Sequence, residues 1–246
     1  MGRVLAFTSG KGGVGKTTIA ANVAFGLAAK NRKVALVDLD IGLRNLDLVM
    51  GLENKVVYHI GDVLQGICRL KQALIKDVRC SNLAFLPGII QDCDTITSDG
   101  VDEVITQLKR EFDYVIIDSP AGLESGFKYA LRCADEVFLV VNPEICSIRD
   151  AALVKEHILS FYNKHVHLIV NRTRKRNFLQ KHYFSTEDIE EMLMLEAIGE
   201  LPNDEQIIYY INKGEILTDK RLPISKAIGE ICNHIIEWDG ECSYAK

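Results

Sequence analysis

TSGKGGVGKTT, residues Thr8–Thr18, decides how the chain is read, because it contains G-x-x-x-x-G-K-[ST] as Gly10–Thr17. Before it, Val4–Phe7 reads as a short buried strand; after it, the alanine-rich run Ile19–Lys30 reads as a helix. Strand, glycine loop and helix in that order form a phosphate cradle. The glycines bend the backbone so that successive N–H groups of Gly12, Gly13, Val14, Gly15, Lys16 and Thr17 face an anion, and the helix adds the positive end of its dipole. Lys16 then reaches the β- and γ-phosphates, the Thr17 hydroxyl sits on Mg²⁺, and Thr18 completes the nucleotide-binding segment. The same stretch satisfies G-x-G-x-x-G at Gly10, Gly12 and Gly15, with Asp38 about 20 residues further on, as a dinucleotide fold requires. A dinucleotide fold has no use for Lys16-Thr17 at the helix start, and a second strand-end acid suits a metal-bound triphosphate better.

Those acids come next. KVALVDLD, Lys33–Asp40, is a nearly continuous apolar run ending in two carboxylates. A period of two puts Asp38 and Asp40 on one side, at the carboxyl end of a buried strand where ligands collect in an open parallel sheet. Beside a phosphate loop, one acid supports the Mg²⁺ shell and the other orients an attacking water. DYVIIDSP, Asp113–Pro120, repeats the pattern and makes Asp118 the Walker B candidate. Strand–helix alternation, roughly seven times over, predicts one doubly wound α/β domain with a mostly parallel sheet flanked by helices, a P-loop NTPase over residues 1–246.

Composition sets the limits. Hydrophobic residues at 48% and charged residues at 26% suit a globular chain with a sizeable core, and a net charge of −5 leaves any nucleic-acid or lipid binding to a local patch. Seven cysteines without a C-x-x-C pair argue for a reducing compartment, with most of them packed as small hydrophobes and no metal held by them. The strand starting at residue 3 leaves no room for a signal peptide, and no apolar run approaches the ~20 residues of a membrane span.

Several stretches resemble one family. TSGKGGVGKTT resembles the deviant Walker A motif of the MinD/ParA ATPases, in which the second loop residue, here Lys11, is presented to another subunit's nucleotide. DLDIGLRNLDLVMG, Asp38–Gly51, resembles the switch I segment of the septum-placing MinD branch. VVYHIGDVLQG, QALIKD, the DSPAGLESG of switch II and NPEICSIRD are similar to it as well. The resemblance implies that Asp40 is the hydrolytic switch residue and that Asn45 belongs to the γ-phosphate-sensing loop. It implies that Gly122 allows switch II to rearrange, that Glu53 faces the dimer or a partner, and that Glu144 serves subunit contact near Lys11. It implies too that Asn171, Arg172 and the later Leu201-Pro202-Asn203-Asp204 border the adenine. Without the resemblance, Arg44 and Asn45 read as a solvated turn and Glu53 as an exposed loop acid.

By the same resemblance, ATP, ADP and Mg²⁺ are the cofactors and ATP drives a homodimer. The partners are a division inhibitor of the MinC type and an activating factor of the MinE type or another. The location is cytoplasmic, peripheral on the inner face of the cell membrane. Members continue into a short basic amphipathic helix for that attachment; this chain ends DGECSYAK, and residues 239–246 read as a short tail with no recognisable membrane-targeting helix. A ParA-like DNA-partition ATPase would use the basic run RTRKR, Arg172–Arg176, against which stands GLRNLD. A flagellar-number MinD-like regulator usually carries a glutamine-rich extension before the loop. A nitrogenase-type iron protein needs a cysteine just after Asp118, and Asp118–Gly126 has none.

The remaining pattern gives helices over Tyr58–Gly66, Leu70–Lys76, Val101–Glu111 (capped by Ser98 or Asp99), Ala151–Tyr162, Ser185–Met194 (capped by Ser185 with Asp188), Asp204–Lys213 and Ile224–Trp238. Strands fall at Asn82–Pro87, Glu136–Asn142, Val166–Asn171 and Leu195–Leu201, with His165 and His167 as edge residues.

Overall fold

The computed structural model describes residues 1–42, 44–90, 96–123, 125–174 and 183–243. The run at its start becomes strand β1 (Arg3–Thr8) and helix α1 (Lys16–Ala29), joined by the glycine loop. Then follow β2 (Val34–Asp38), α2 (Leu46–Met50), a 3-10 turn at Glu53–Lys55, α3 (Ile60–Leu64), α4 (Leu70–Ala73), β3 (Ile75–Lys76) and β4 (Leu83–Leu86). The second half runs α5 (Ser98–Glu111), β5 (Tyr114–Asp118), α6 (Ser125–Cys133), β6 (Glu136–Val141), α7 (Ile145–Tyr162) and β7 (His165–Thr173). It closes with α8 (Thr186–Leu193), β8 (Ala197–Pro202), α9 (Gln206–Ile211) and α10 (Pro223–Ser243).

The strands form one sheet in the order β3-β4-β2-β5-β1-β6-β7-β8, parallel except for the antiparallel β3. The chain leaves β1 toward β2 on one side and leaves β6 toward β7 on the other, so strand order reverses between β1 and β6. Such a reversal opens a crevice at the carboxyl ends of the strands. Alternation along β1 feeds both layers. Val4 and Ala6 join α5, α6, α7 and α8 on one face, while Leu5 and Phe7 join α1, α2 and α10 on the other. These are continuous apolar strands, as burial on both faces demands.

Five expectations need correction. The two-residue strand β3 lies where Leu70–Lys76 reads as one helix; Leu74 breaks out of helical geometry and Ile75 pairs with Phe85. The cap of α5 is Thr97, whose hydroxyl accepts from Gly100 N–H at 3.2 Å, one residue before Ser98 and two before Asp99. Helix α7 begins at Ile145 rather than Ala151, with Ser147 Oγ accepting from Asn142 N–H. His165 and His167 do not lie on an edge strand: β7 runs between β6 and β8, and although pairing with β8 starts only at Leu168 and His165 is exposed, His167 is buried against Phe138 and Trp238. Helix α10 continues to Ser243, into the stretch read as a tail; residues 244–246 lie outside the described part. The Ser185–Asp188 capping box at α8 is present, with bonds of 2.8 and 3.2 Å.

Candidate functional site

Adjacent strands β2 and β5 end in register, Asp38 opposite Asp118, so two carboxylates meet side by side at the sheet's carboxyl edge. Both are fully buried. Burial, then the neighbouring Asp118 charge, holds the Asp38 carboxyl well above the usual carboxylate range. One Asp38 oxygen accepts from the Asp40 backbone N–H at 2.9 Å, which turns the chain out of the strand. Asp40 therefore does not continue the strand as a second inward acid. It stands half-exposed on the turn and lines the cavity over the glycine loop.

Lys16 answers this negative charge. Its ammonium is 2.5 Å from Asp118 Oδ1 and 3.4 Å from Thr17 Oγ1, with both members of the ion pair almost completely buried. Asp38 Oδ2 and Asp118 Oδ2 have no hydrogen-bond partner. Two orphaned carboxylate oxygens next to the Thr17 hydroxyl are the oxygen-rich donor set that Mg²⁺ prefers, so the residues fit the metal. Among the described residues no cluster of three His, Cys, Asp or Glu side chains forms a separate metal site.

Two open cavities adjoin at Gly15, Thr18 and Arg172. The first, about 430 Å³, is lined by Ser9, the segment Gly12–Thr18, Asp40, Asn45, Pro120 and Ala121. The second, about 450 Å³, lies between the ends of β6, β7 and β8 and is lined by Asn171, Asn203, Asp204 and the isoleucines of α9. The first is walled by glycines and carries Lys16, Thr17 and Asp40; the second sets the three isoleucines of α9 among Asn, Asp, Glu and Arg side chains, apolar surface with convergent polar groups of the kind a flat base requires. Asn171 and Arg172 join them: Asn171 Nδ2 donates to Val14 O at 2.7 Å and Arg172 Nη2 to Gly13 O at 2.9 Å. Gly15 is required here twice over. Its φ is +97°, and a Cβ would lie 2.4 Å from Asn171 Nδ2.

Other expected residues fall at the rim. Lys11 Nζ is 3.3 Å from Glu144 Oε2 of the same chain, both side chains about half exposed. Gly122 N–H donates to Ser9 O at 2.9 Å, tying switch II to the loop. Arg44 is no solvated turn residue: its Nε is 2.8 Å from Asp47 Oδ2, a carboxylate 2% exposed. Glu53 is exposed, bonded to Asn54, and outside both cavities. Of the segment Leu201-Pro202-Asn203-Asp204 expected at the adenine, Asn203 and Asp204 line the second cavity, while Pro202 pairs with Thr173 in the sheet and does not. Of the basic run Arg172–Arg176, residues 172–174 are described and Lys175 and Arg176 lie outside the described residues. Sequence reasoning missed the apolar wall from Ile207, Ile208 and Ile211, whose signal was an apolar helix that buries none of its residues.

A family model described as an AAA domain matches residues 2–171. The septum site-determining protein MinD of Helicobacter pylori is 42% identical over 244 residues, covering 96% of this chain and 91% of its own length. The MinC:MinD cell division complex of Aquifex aeolicus contains a chain of similar backbone, with TM-score 0.88 and 39% identity over 96% of both chains. The septum site-determining protein MinD of Pyrococcus horikoshii, complexed with Mg-ADP, gives TM-score 0.85 at 28% identity, with 98% of each chain covered. Likeness that runs through nearly the whole chain, in sequence and in backbone, places this chain in the MinD family of septum site-determining proteins.

Proposed function

We propose that the chain works as one domain that hydrolyses ATP with Mg²⁺ and uses the γ-phosphate to switch between monomer and dimer in placing a division septum. The observation carrying this reading is that Lys16, Thr17, Asp40 and Asn45 all border the glycine-walled cavity. Mg²⁺, held there, would supply neutralisation of the phosphate charge. Backbone N–H groups of Gly12–Thr17 hold the phosphates, and Lys16 leaves Asp118 to reach them. Thr17 and Asp118 hold the metal, with Asp38 beside them. Asp40, on its turn, orients the attacking water. Asn171, Arg172, Asn203 and Asp204 receive the base.

Lys11 is then the residue a partner subunit delivers, and its pair with Glu144 is its resting position. A γ-phosphate that meets Lys11 only in the dimer favours the dimer by that differential contact, and hydrolysis removes it. A MinC-like inhibitor is the partner supported by the Aquifex complex; a MinE-like activator follows from the same reading. DNA partition is not favoured, because Arg172, the first cation of the basic run, is bonded to Gly13 O of the glycine loop and, though exposed, lines both cavities of the nucleotide site. Among the described residues no helix is long and apolar enough to cross a membrane.

The test is ATP turnover by the purified chain against protein concentration, with Mg²⁺ or EDTA, alongside Asp40→Ala and Lys11→Ala. Turnover per subunit is expected to rise with concentration, to need Mg²⁺ and to be lost in both variants. Turnover independent of concentration and untouched by Lys11→Ala would sink the dimer switch and leave a monomeric nucleotidase.

A further inference from the structure

Helix α2 carries the switch residues at one end, and the other end is held by a structure that the reaction does not explain. Asn45 and Val49, one turn apart, line the phosphate cavity. Met50 closes the helix, and its carbonyl has no partner within the helix. Arg79 supplies one. Its Nη2 donates to Met50 O at 2.7 Å, and its Nη1 donates to Gly214 O at 3.1 Å, in the turn after α9. The guanidinium is itself fixed by Asp77, whose side chain is fully buried: Nε reaches Oδ1 at 2.9 Å and Nη2 reaches Oδ2 at 2.6 Å. Its remaining face lies over the Phe25 ring of α1, 5.9 Å from the centroid.

The backbone is equally tight at this point. Gly51, at φ +62°, and Gly214, at φ +63°, touch: a Cβ on Gly214 would lie 2.4 Å from Gly51 Cα, and one on Gly51 would lie 2.7 Å from Gly214 O. The end of α2 is thus clamped between the helix of the phosphate loop and the turn leaving the base-pocket helix. None of Arg79, Asp77, Gly51 or Gly214 lines the phosphate cavity.

We propose that Arg79 is a positioning residue for the hydrolytic switch, fixing the C-terminal end of α2 so that its other end presents Asn45 beside Asp40 to the γ-phosphate side of the cavity. The proposal rests on the reading of Asp40 as the water-orienting residue. A helix this short is rigid, about 1.5 Å per residue, so a shift at Met50 is carried to Asn45 with little loss. Misplacement of a reacting group by about 1 Å costs on the order of 10²-fold in rate. Lysine keeps the charge of Arg79 but lacks the planar fork that spans two carbonyls and a carboxylate.

The experiment compares Arg79→Lys, Gly214→Ala and Asp40→Ala with the parent, measuring kcat, KM for ATP, Kd for Mg-ADP and melting temperature. Arg79→Lys is expected to lower kcat at least about tenfold while KM and the ADP affinity stay within about twofold. Gly214→Ala pushes the same helix end from the other side and is expected to do the same. Retained kcat, a loss of ADP affinity in proportion to kcat, or failure of Arg79→Lys to fold would each overturn the proposal, the last two by making the clamp a general structural element. Asp40→Ala separates the two readings. If it is inactive while Arg79→Lys is fully active, the clamp proposal alone fails; if it turns over normally, the switch reading has failed and the clamp acts on something else.

Discussion

The Lys11–Glu144 pair makes a quantitative prediction about assembly. In the free chain the two groups are 3.3 Å apart, with side chains 43% and 54% exposed. An exposed pair of this kind contributes about 0.2–1 kcal/mol. If Lys11 must leave Glu144 to reach the other subunit's nucleotide, each dimer breaks two such pairs, an opposition of about 0.4–2 kcal/mol. Glu144→Gln removes that opposition and keeps the shape of the side chain. The ATP-bound dimer should therefore dissociate about 2- to 30-fold less readily, and the gain should shrink at high salt as screening weakens the pair in the parent. Sedimentation velocity in an Asp40→Ala background with Mg-ATP measures this without turnover, and ADP provides the monomeric baseline. A dimer that becomes looser would refute the resting-position argument and assign Glu144 to the subunit contact itself. An unchanged dimer would mean the pair contributes nothing to the monomer.

Two further predictions concern buried titratable groups. The Asp38 carboxyl is held above its usual range by burial and by Asp118, so its contribution to stability is full below a pH of about 4 and is lost as pH rises through the raised value. Asp38→Asn should thus melt a few degrees higher than the parent at neutral pH in EDTA, yet gain less from Mg-ADP; a variant that melts lower in EDTA would contradict the raised carboxyl. His167 behaves oppositely, its imidazole pushed down to about 4 by burial and by Arg3. Its 2.8 Å bond to Glu136 opposes that shift, but Arg3 already neutralises the same carboxylate. A depressed value means stability is full above a pH of about 6.5 and is lost as pH falls toward 4. Denaturant unfolding followed through Trp238, whose ring stacks on His167 at 4.3 Å, should show up to about 2 kcal/mol lost between neutral pH and pH ~5, absent in His167→Phe. An equal loss in that variant would place the titration elsewhere.

What could be read from the sequence was whatever a strand end announces. The loop Gly10–Thr17, the acids Asp38 and Asp118, and the Asn171-Arg172 corner all sit where an apolar run stops, and a parallel sheet brings all such stops to one edge. The failures share a cause too. Asp40 was placed in β2 because the run Lys33–Asp40 keeps its period, but the Asp38 carboxylate takes the Asp40 N–H and bends the chain, a local choice between side chain and ladder that periodicity does not register. Helix α7 starts before Ala151 because the lead-in Ile145–Asp150 is already helical, with Ser147 Oγ in its first turn accepting the Asn142 N–H, a contact that apolar spacing does not register. Arg79 is invisible in the sequence: beyond its neighbour Asp77, the carbonyls it holds are 29 and 135 residues away in the chain.

The pair between Lys16 and Asp118 adds a last step. A lysine and an aspartate buried this far need each other, since removal of either partner leaves an uncompensated charge that costs several kcal/mol. Phosphates can draw Lys16 away only if something else compensates Asp118, which already has one unpaired oxygen beside the unpaired oxygen of Asp38. Nucleotide without metal would exchange one buried ion pair for another and leave Asp118 uncompensated; nucleotide with metal would compensate it. Under the proposed reading, the arrangement that pairs Lys16 with Asp118 in the free chain would therefore favour the metal-bound nucleotide. Such a selection would also reach the turn at Asp40, because an Asp38 oxygen accepts the Asp40 N–H.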